Sequence, residues 1–133
     1  MERILFIEGS SGISGDMTVS ALLDLGASRR YMEEQIEKLP LEGYRLLVGR
    51  TMKNGIEACA FYVEMDETKP QPYRDYDTIR KMLFQAELDA GVRELSLRIF
   101  TVLAEAEAKV HGTTMEKVHF HEAGAVDSII DIV

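Results

Sequence analysis

The chain has 133 residues, of which 46% are hydrophobic and 29% are charged, a balance typical of one globular domain. Its 23 acidic and 15 basic residues give a formal net charge of −8, which weighs against nucleic acid and anionic membranes as partners. No apolar run approaches the ~20 residues that span a bilayer, and the apolar stretch of residues 4–7 is too short for a signal peptide. We therefore expect a soluble, cytoplasmic protein, and the single cysteine, Cys59, excludes an internal disulfide.

The N-terminal part is predicted to contain a strand followed by two helices. The apolar character of residues 3–7 favours a strand, and residues 9–16 form a glycine-rich turn. A helix should start near Ser14 and end at Gly26, with apolar residues at helical spacing at Met17, Ala21, Leu22 and Leu25. A second helix is expected after Ser28, which can cap it.

A β-hairpin and a loop are predicted next. Residues 44–51 and 56–65 are rich in strand-forming side chains, and the pair Asn54-Gly55 between them favours a two-residue hairpin turn. Residues 66–76 are polar and include two prolines, so we predict a flexible loop there.

The C-terminal half is predicted to contain helices around a short strand. Residues 78–84 start one helix, and the apolar positions of residues 92–110 trace a long amphipathic one. Residues 117–121 are expected to form a strand, and residues 124–133 the opening of a further helix. The order of these elements matches the β-α-β-β-α-β arrangement of ferredoxin-like folds with extra helices, so we predict one α+β domain over residues 1–133.

All three histidines, His111, His119 and His121, fall within eleven residues. On a strand, His119 and His121 would project from one face with their Cα atoms about 6.6 Å apart, a spacing that lets two imidazoles bind one ion. Imidazoles and carboxylates together suit a divalent transition metal, although these residue types do not distinguish Ni²⁺ from Zn²⁺. The nearby carboxylates are those of Glu122, Asp127 and Asp131.

Each of these residues also has an ordinary structural explanation. His119 and His121 could be titrating side chains on a solvated strand, and His111 could stabilise a helix C-terminus through the helix dipole. Asp127 and Asp131 share a helix face, where they are either a solvated acidic surface or a pair that needs a cation.

The loop that contains Gly12, Ser14, Gly15 and Asp16 is the predicted phosphate-binding site. Glycines at a strand-to-helix turn expose backbone N–H groups and a helix N-terminus that can hold an anion. The spacing is not GxGxxG and no lysine follows as in GxxxxGK, so neither nucleotide-binding fingerprint is present. Asp16 is either a first-turn acid that complements the helix dipole or a ligand. The sequence has no nucleophile with a base, CxxC pair or HExxH motif, so the catalytic residues stay unassigned.

Three segments resemble one known family. They are GISGDM at residues 12–17, LAEAEAKVHG at residues 103–112 and VHFHEAGAVDSIIDI at residues 118–132. Together they are similar to the N-terminal region of the proteins that insert nickel into pyridinium-3,5-bisthiocarboxylic acid mononucleotide, completing the nickel-pincer cofactor of lactate racemase. The resemblance covers residues 12–133.

The resemblance implies a lyase-class nickel insertase, a cyclometallase that forms a carbon–nickel bond and consumes CTP with Mg²⁺ or Mn²⁺. In that account the histidine cluster handles Ni²⁺ and the glycine loop receives the phosphate of the mononucleotide. The CTP-binding region of the family lies in a C-terminal domain outside this chain. We accordingly expect a homo-oligomeric protein and expect this chain alone to be inactive.

Two positions depart from the family pattern, which commonly has an aspartate before the GISGDM loop and a histidine-arginine pair in the linker. This chain has Glu8 and Tyr73-Arg74 at those positions. Two other functions fit the same residues. One is a nickel or zinc delivery module without chemistry of its own, and the other is a structural oligomerisation domain whose histidines are surface residues.

Overall fold

Five α-helices and one β-hairpin make up the structure, a computed structural model that describes residues 1–133. In chain order they are α1 (Gly15–Asp24), α2 (Arg29–Glu37), β1 (Tyr44–Lys53), β2 (Ile56–Met65), α3 (Tyr76–Gln85), α4 (Ala90–His111) and α5 (Val126–Ile132). A 3₁₀ turn, Met115–Lys117, lies between α4 and α5. The predicted α+β class is confirmed, and the element order is compatible with a ferredoxin-like arrangement that carries extra helices. No helix is both long and apolar enough to span a membrane.

The helices begin and end where local side-chain chemistry favours it. The Ser14 hydroxyl caps α1 by accepting a hydrogen bond from the Met17 amide, and Ser28 caps α2 in the same way. The carboxylate of Asp75 caps α3, at 2.7 Å from the Thr78 amide nitrogen. Gly112 ends α4 in the left-handed conformation, with φ 62°, which glycine adopts without strain. The predicted helices are therefore confirmed.

The predicted hairpin is also confirmed. β1 and β2 pair antiparallel from Tyr44 opposite Met65 to Lys53 opposite Ile56. The turn between them consists of Asn54 and Gly55, both with positive φ, as a two-residue type I′ turn requires.

The strand predicted at residues 3–7 is wrong, because the structure shows no regular element there. The side chains of Ile4 and Phe6 are 86% and 82% exposed. Helix α1 covers the edge of β2 at which a further strand would pair. The Phe61 N–H, which points away from β1, donates to the Ser20 hydroxyl at 2.9 Å instead. The hairpin therefore remains a two-stranded sheet.

The strand predicted at residues 117–121 is wrong as well. Lys117 ends the 3₁₀ turn, and the segment pairs with another only through a single bridge between His119 and Asp75. Only the alternation of buried and exposed side chains that the strand implied is retained.

One core of 18 apolar residues joins the helices to the hairpin. The ring of Phe100 on α4, fully buried, lies 6.1 Å from the ring of Phe120 at a 52° tilt, an arrangement that aromatic pairs favour. Helix α1 departs from the prediction, since its stripe of Met17, Ala21 and Leu25 is exposed. The helix packs on the core through Val19 and Leu23 instead.

Loss of the Phe100 ring should destabilise the whole chain. We expect Phe100→Ala to lower the free energy of unfolding by about 3–5 kcal/mol, because it removes a fully buried ring and leaves a cavity. Urea unfolding measures the change. The matched control is Val102→Ala on the same helix, where the side chain is 65% exposed, and it should change stability by less than about 0.5 kcal/mol. Equal losses in both variants would contradict the packing described here.

Candidate functional site

The segment that carries two of the three histidines alternates between core and solvent. Val118 and Phe120 are each 3% exposed, whereas His119 and His121 are exposed. The two apolar side chains hold the segment against the core, so both imidazoles project outward. This outward projection is what the predicted strand implied, although the strand itself does not form.

The imidazole that the structure brings next to His121 is that of His111. The two ring centroids are 6.4 Å apart, and the rings meet edge to face. His111 is the last residue of α4, and its Nε2 lies 3.1 Å from a carboxylate oxygen of Glu107 one turn earlier. A carboxylate in that position orients a metal-binding imidazole and raises its basicity. We refer to His111 and His121 as the imidazole pair.

The other predicted ligands lie around the imidazole pair without forming a cage. His119 is held at its backbone by the bridge to Asp75. Glu122 and Asp127 are exposed, the latter in the first turn of α5. No three His, Cys, Asp or Glu side chains are grouped closely enough to hold a metal ion by themselves. An ion at the imidazole pair would therefore take its further ligands from water or from a bound molecule.

Arg74 lies directly beside the histidine segment, in an environment that no sequence pattern indicates. It is 7% exposed, and its Nη1 donates to the Gly124 carbonyl oxygen at 3.0 Å. Arg74 lines a pocket of about 130 Å³ together with Phe120, His121 and Gly124. Burial lowers the pKa of its guanidinium from the ordinary value. We refer to this cavity as the Arg74 pocket.

The glycine loop is exposed and its polar groups already bond to each other. Gly12 has φ 83°, and its N–H donates to the Gly9 carbonyl oxygen at 2.9 Å. The Ser14 hydroxyl, which caps α1, also donates to the carboxylate of Asp16. The first turn of α1 therefore carries a negative charge of its own.

The carboxyl of Asp131 on α5 lies against Gly15. A Cβ atom added to Gly15 would come within 2.6 Å of Asp131 Oδ2, so only glycine fits there without displacing the carboxyl. Asp131 Oδ1 is buried and has no hydrogen-bond partner. Burial raises the pKa of this carboxyl to about 6, with smaller contributions from the negative charges of Asp16 and Asp127.

Helix α5 connects the Arg74 pocket to the glycine loop. Gly124 and Ala125, just before the helix, line the pocket, whereas Asp131 in its last turn lies at the loop. At 1.5 Å of rise per residue, the two sites are roughly 10 Å apart along the helix. One molecule of nucleotide size could contact both.

Two residues near the imidazole pair were missed by the sequence reasoning. Arg74 was noted only as a position in the linker, and Glu107 only as part of a helix. Spacing gives a weak signal for Glu107, because it stands four residues before His111 on a helix. No local signal could have shown that Arg74 is buried, since residues fifty positions away close over it.

The raised pKa of Asp131 predicts a pH-dependent stability. Between the ordinary pKa of 3.8 and the folded value of about 6, the folded chain binds a proton more tightly than the unfolded chain. The contribution of this group to the free energy of unfolding therefore falls as pH rises through that range. Asp131→Asn removes the titrating carboxyl and with it this loss of stability. At about pH 7 the variant should therefore be more stable than the parent chain by about 1 kcal/mol, a value reduced for solvent screening because the group is partly exposed.

Urea unfolding of both chains at about pH 4 and about pH 7 measures this difference, which should be small at the lower pH. Glu105→Gln on the exposed face of α4 is the control. The difference in stability between this variant and the parent should not increase with pH. A stability difference between Asp131→Asn and the parent that stays constant with pH would contradict the burial of a titrating carboxyl.

Comparisons with known proteins agree on one family. Residues 5–133 match the family model described as "Nickel insertion protein". The chain is 50% identical over 133 residues to the "Putative nickel insertion protein" of Geobacter metallireducens, a match that covers 98% of the chain and 34% of that protein. It is 43% identical over 139 residues to the "Pyridinium-3,5-bisthiocarboxylic acid mononucleotide nickel insertion protein" of Geobacillus kaustophilus, with 98% and 34% covered. The chain thus spans about a third of the length of these relatives. No solved structure matches it.

Proposed function

The chain belongs to the nickel insertion protein family, and from this premise we propose that it is the N-terminal part of a protein that inserts Ni²⁺ into pyridinium-3,5-bisthiocarboxylic acid mononucleotide. The support is a family match over nearly the whole chain and a relative that bears this substrate in its name. The part of the activity that we assign to this chain is the handling of Ni²⁺ and of the organic substrate.

The imidazole pair is the observation on which the proposal rests. His111 and His121 are exposed side chains from two separate segments, and their ring centroids are 6.4 Å apart. Imidazole nitrogen is a suitable ligand for Ni²⁺. Small rotations of the two side chains would let one nitrogen from each bind the same ion. Glu107 would then support His111 from behind, as carboxylates do at metal-binding histidines.

A site with two protein ligands suits delivery better than storage. Ni²⁺ on the imidazole pair keeps open coordination positions, which thiocarboxylate groups of the substrate can fill before the imidazoles release the ion. The exposed carboxylates of Glu122 and Asp127 are proposed as supporting ligands during this transfer. The transfer moves Ni²⁺ from nitrogen to sulfur ligands.

We place the phosphate of the mononucleotide at the glycine loop, with contacts from Gly12, Ser14 and Gly15. The helix N-terminus favours an anion there, but the carboxylates of Asp16 and Asp131 oppose it. A carboxyl with a pKa of about 6 takes up a proton readily when a second anion approaches. Phosphate binding at the loop is therefore expected to be coupled to protonation of Asp131.

The residues of this chain do not fit CTP. The glycine loop lacks the lysine with which a P-loop binds the phosphates of a nucleoside triphosphate. We propose that CTP and its Mg²⁺ or Mn²⁺ ion bind in the C-terminal region of the longer protein, where the carbon–nickel bond of this lyase-class reaction is completed. The wider proposal is a cytoplasmic homo-oligomer that serves lactate racemase maturation.

Titration of the metal-free chain with Ni²⁺ tests the nickel proposal. We expect binding of one ion per chain, weakened at least about tenfold, equivalent to about 1.4 kcal/mol, in the double variant His111→Ala, His121→Ala. Both imidazoles are exposed, so these substitutions should leave the fold intact. Isothermal calorimetry measures the affinity.

His119→Ala is the matched control in this titration, since it removes an exposed imidazole from the same segment but not from the pair. It should change the Ni²⁺ affinity by less than about threefold. The proposal fails if the chain binds no Ni²⁺, or if the double variant binds it as tightly as the parent. It also fails if His119→Ala alone abolishes binding.

A further inference from the structure

Arg74 is the only charged residue among the buried residues of the chain. It lies in the loop just before α3, in a chain that has 38 Lys, Arg, Asp and Glu residues and places the others at or near the surface. Charged side chains are rarely buried in this way unless they are paired. The buried Arg74 side chain is therefore expected to pair with a negatively charged group.

The protein supplies Arg74 with one hydrogen-bond acceptor and no counter-ion. A guanidinium has five N–H donors, and here only Nη1 is bonded, to the Gly124 carbonyl oxygen at 3.0 Å. No carboxylate oxygen lies within 4.0 Å of the guanidinium nitrogens. The other nitrogens are not sealed inside the core, because Asp131 Oδ1 is the one buried side-chain polar atom without a partner. They therefore keep some contact with solvent.

Burial of this charge without an ion pair costs free energy. Burial disfavours the charged form of the Arg74 guanidinium and so lowers its pKa. An unpaired buried charge is destabilising, and a hydrogen-bonded anion offsets that loss. The site is thus better matched to a bound anion than to water alone.

The Arg74 pocket has the electrostatic character that an anion site needs. The bond to Gly124, itself a lining residue, places the guanidinium at this pocket. None of the lining residues is Asp or Glu, although the chain as a whole carries a net charge of −8. The residues that line the pocket include Pro72, Tyr73, Phe120 and His121.

We propose that the Arg74 pocket binds a planar carboxylate or thiocarboxylate carried on an aromatic ring, with the guanidinium donating two parallel hydrogen bonds to it. The guanidinium fork matches the geometry of such a group. A volume of about 130 Å³ is slightly below the roughly 150 Å³ that holds a benzene-sized molecule, so the pocket has room for the carboxylate and part of its ring, and the rest of the molecule lies outside the pocket.

This inference rests on the proposed function and adds a position for the substrate. A thiocarboxylate at Arg74 lies next to His121, one member of the imidazole pair, so its sulfur atom would be delivered beside the bound Ni²⁺. The phosphate of the same molecule would extend along α5 toward the glycine loop. Arg74 then acts as a positioning residue for metal transfer, not as a metal ligand.

The test uses pyridine-3,5-dicarboxylate as the probe, titrated into the metal-free chain and followed by calorimetry. We expect saturable binding that Arg74→Lys weakens at least about tenfold, because lysine keeps the charge but cannot form the bidentate fork. Arg45→Lys is the matched control, since Arg45 is an exposed arginine paired with Glu64 on the hairpin, and it should leave the affinity unchanged. Inorganic phosphate, titrated in parallel, should bind to the parent and to Arg74→Lys equally.

A second measurement on the unsubstituted chain keeps the test independent of variant folding. In ¹⁵N spectra of the arginine side chains, the Arg74 Nε signal should move as the probe is added, while that of Arg45 stays in place. The proposal is overturned if the probe does not bind or if it binds without moving the Arg74 signal. It is also overturned if Arg74→Lys weakens phosphate but not the dicarboxylate. Because these titrations contain no nickel, their outcome is separate from that of the nickel titration.

Discussion

Phe120 packs its ring against Phe100 in the core, with ring centroids 6.1 Å apart, and its burial sets the position of the polar groups around it. With Phe120 turned inward, His121 must face solvent, where it meets His111 at the end of α4. The Phe120 carbonyl oxygen and that of Arg74 also approach Gly124 so closely that a Cβ there would lie 3.0 and 2.9 Å from them. A glycine at that position lets the segment before α5 approach the Arg74 backbone closely and accept the hydrogen bond from its guanidinium.

The two ends of helix α5 lie at sites of opposite charge. At its start the buried guanidinium of Arg74 faces a pocket without carboxylates, and at its end Asp131 shares the glycine loop with Asp16. A substrate with an anionic group at each end would bind directly at the Arg74 pocket. At the glycine loop it would bind only if Asp131 took up a proton. The two ends of α5 therefore have different roles in binding the substrate.

Local chemistry explains how much of the structure the sequence could predict. The start of α1 near Ser14, the cap of α2 at Ser28 and the turn at Asn54-Gly55 each depend on residues within one turn, and all were predicted. The inward and outward alternation of residues 118–121 was also predicted, since it needs only one apolar side chain at every second position. Local features of this kind can be predicted because they do not depend on contacts between distant residues.

The features that were not predicted depend on contacts between distant parts of the chain. Helix α1 covers the edge of β2 through the bond from Phe61 to Ser20, and no pattern in either segment shows that the edge is unavailable to residues 3–7. The burial of Arg74 depends on Gly124, fifty residues later. The pairing of His121 with His111 depends on how sharply the chain turns after α4. The cluster of histidines was visible in the sequence, but its internal pairing was not.

The position of Ni²⁺ in crystals of the chain shows whether the imidazole pair binds the ion. Diffraction data collected on both sides of the nickel absorption edge, from crystals soaked in Ni²⁺, locate the ion without assuming its ligands. The account predicts an anomalous peak within about 2.2 Å of one nitrogen each of His111 and His121. A peak at His119, a peak elsewhere on the surface, or no peak at the imidazole pair would contradict it.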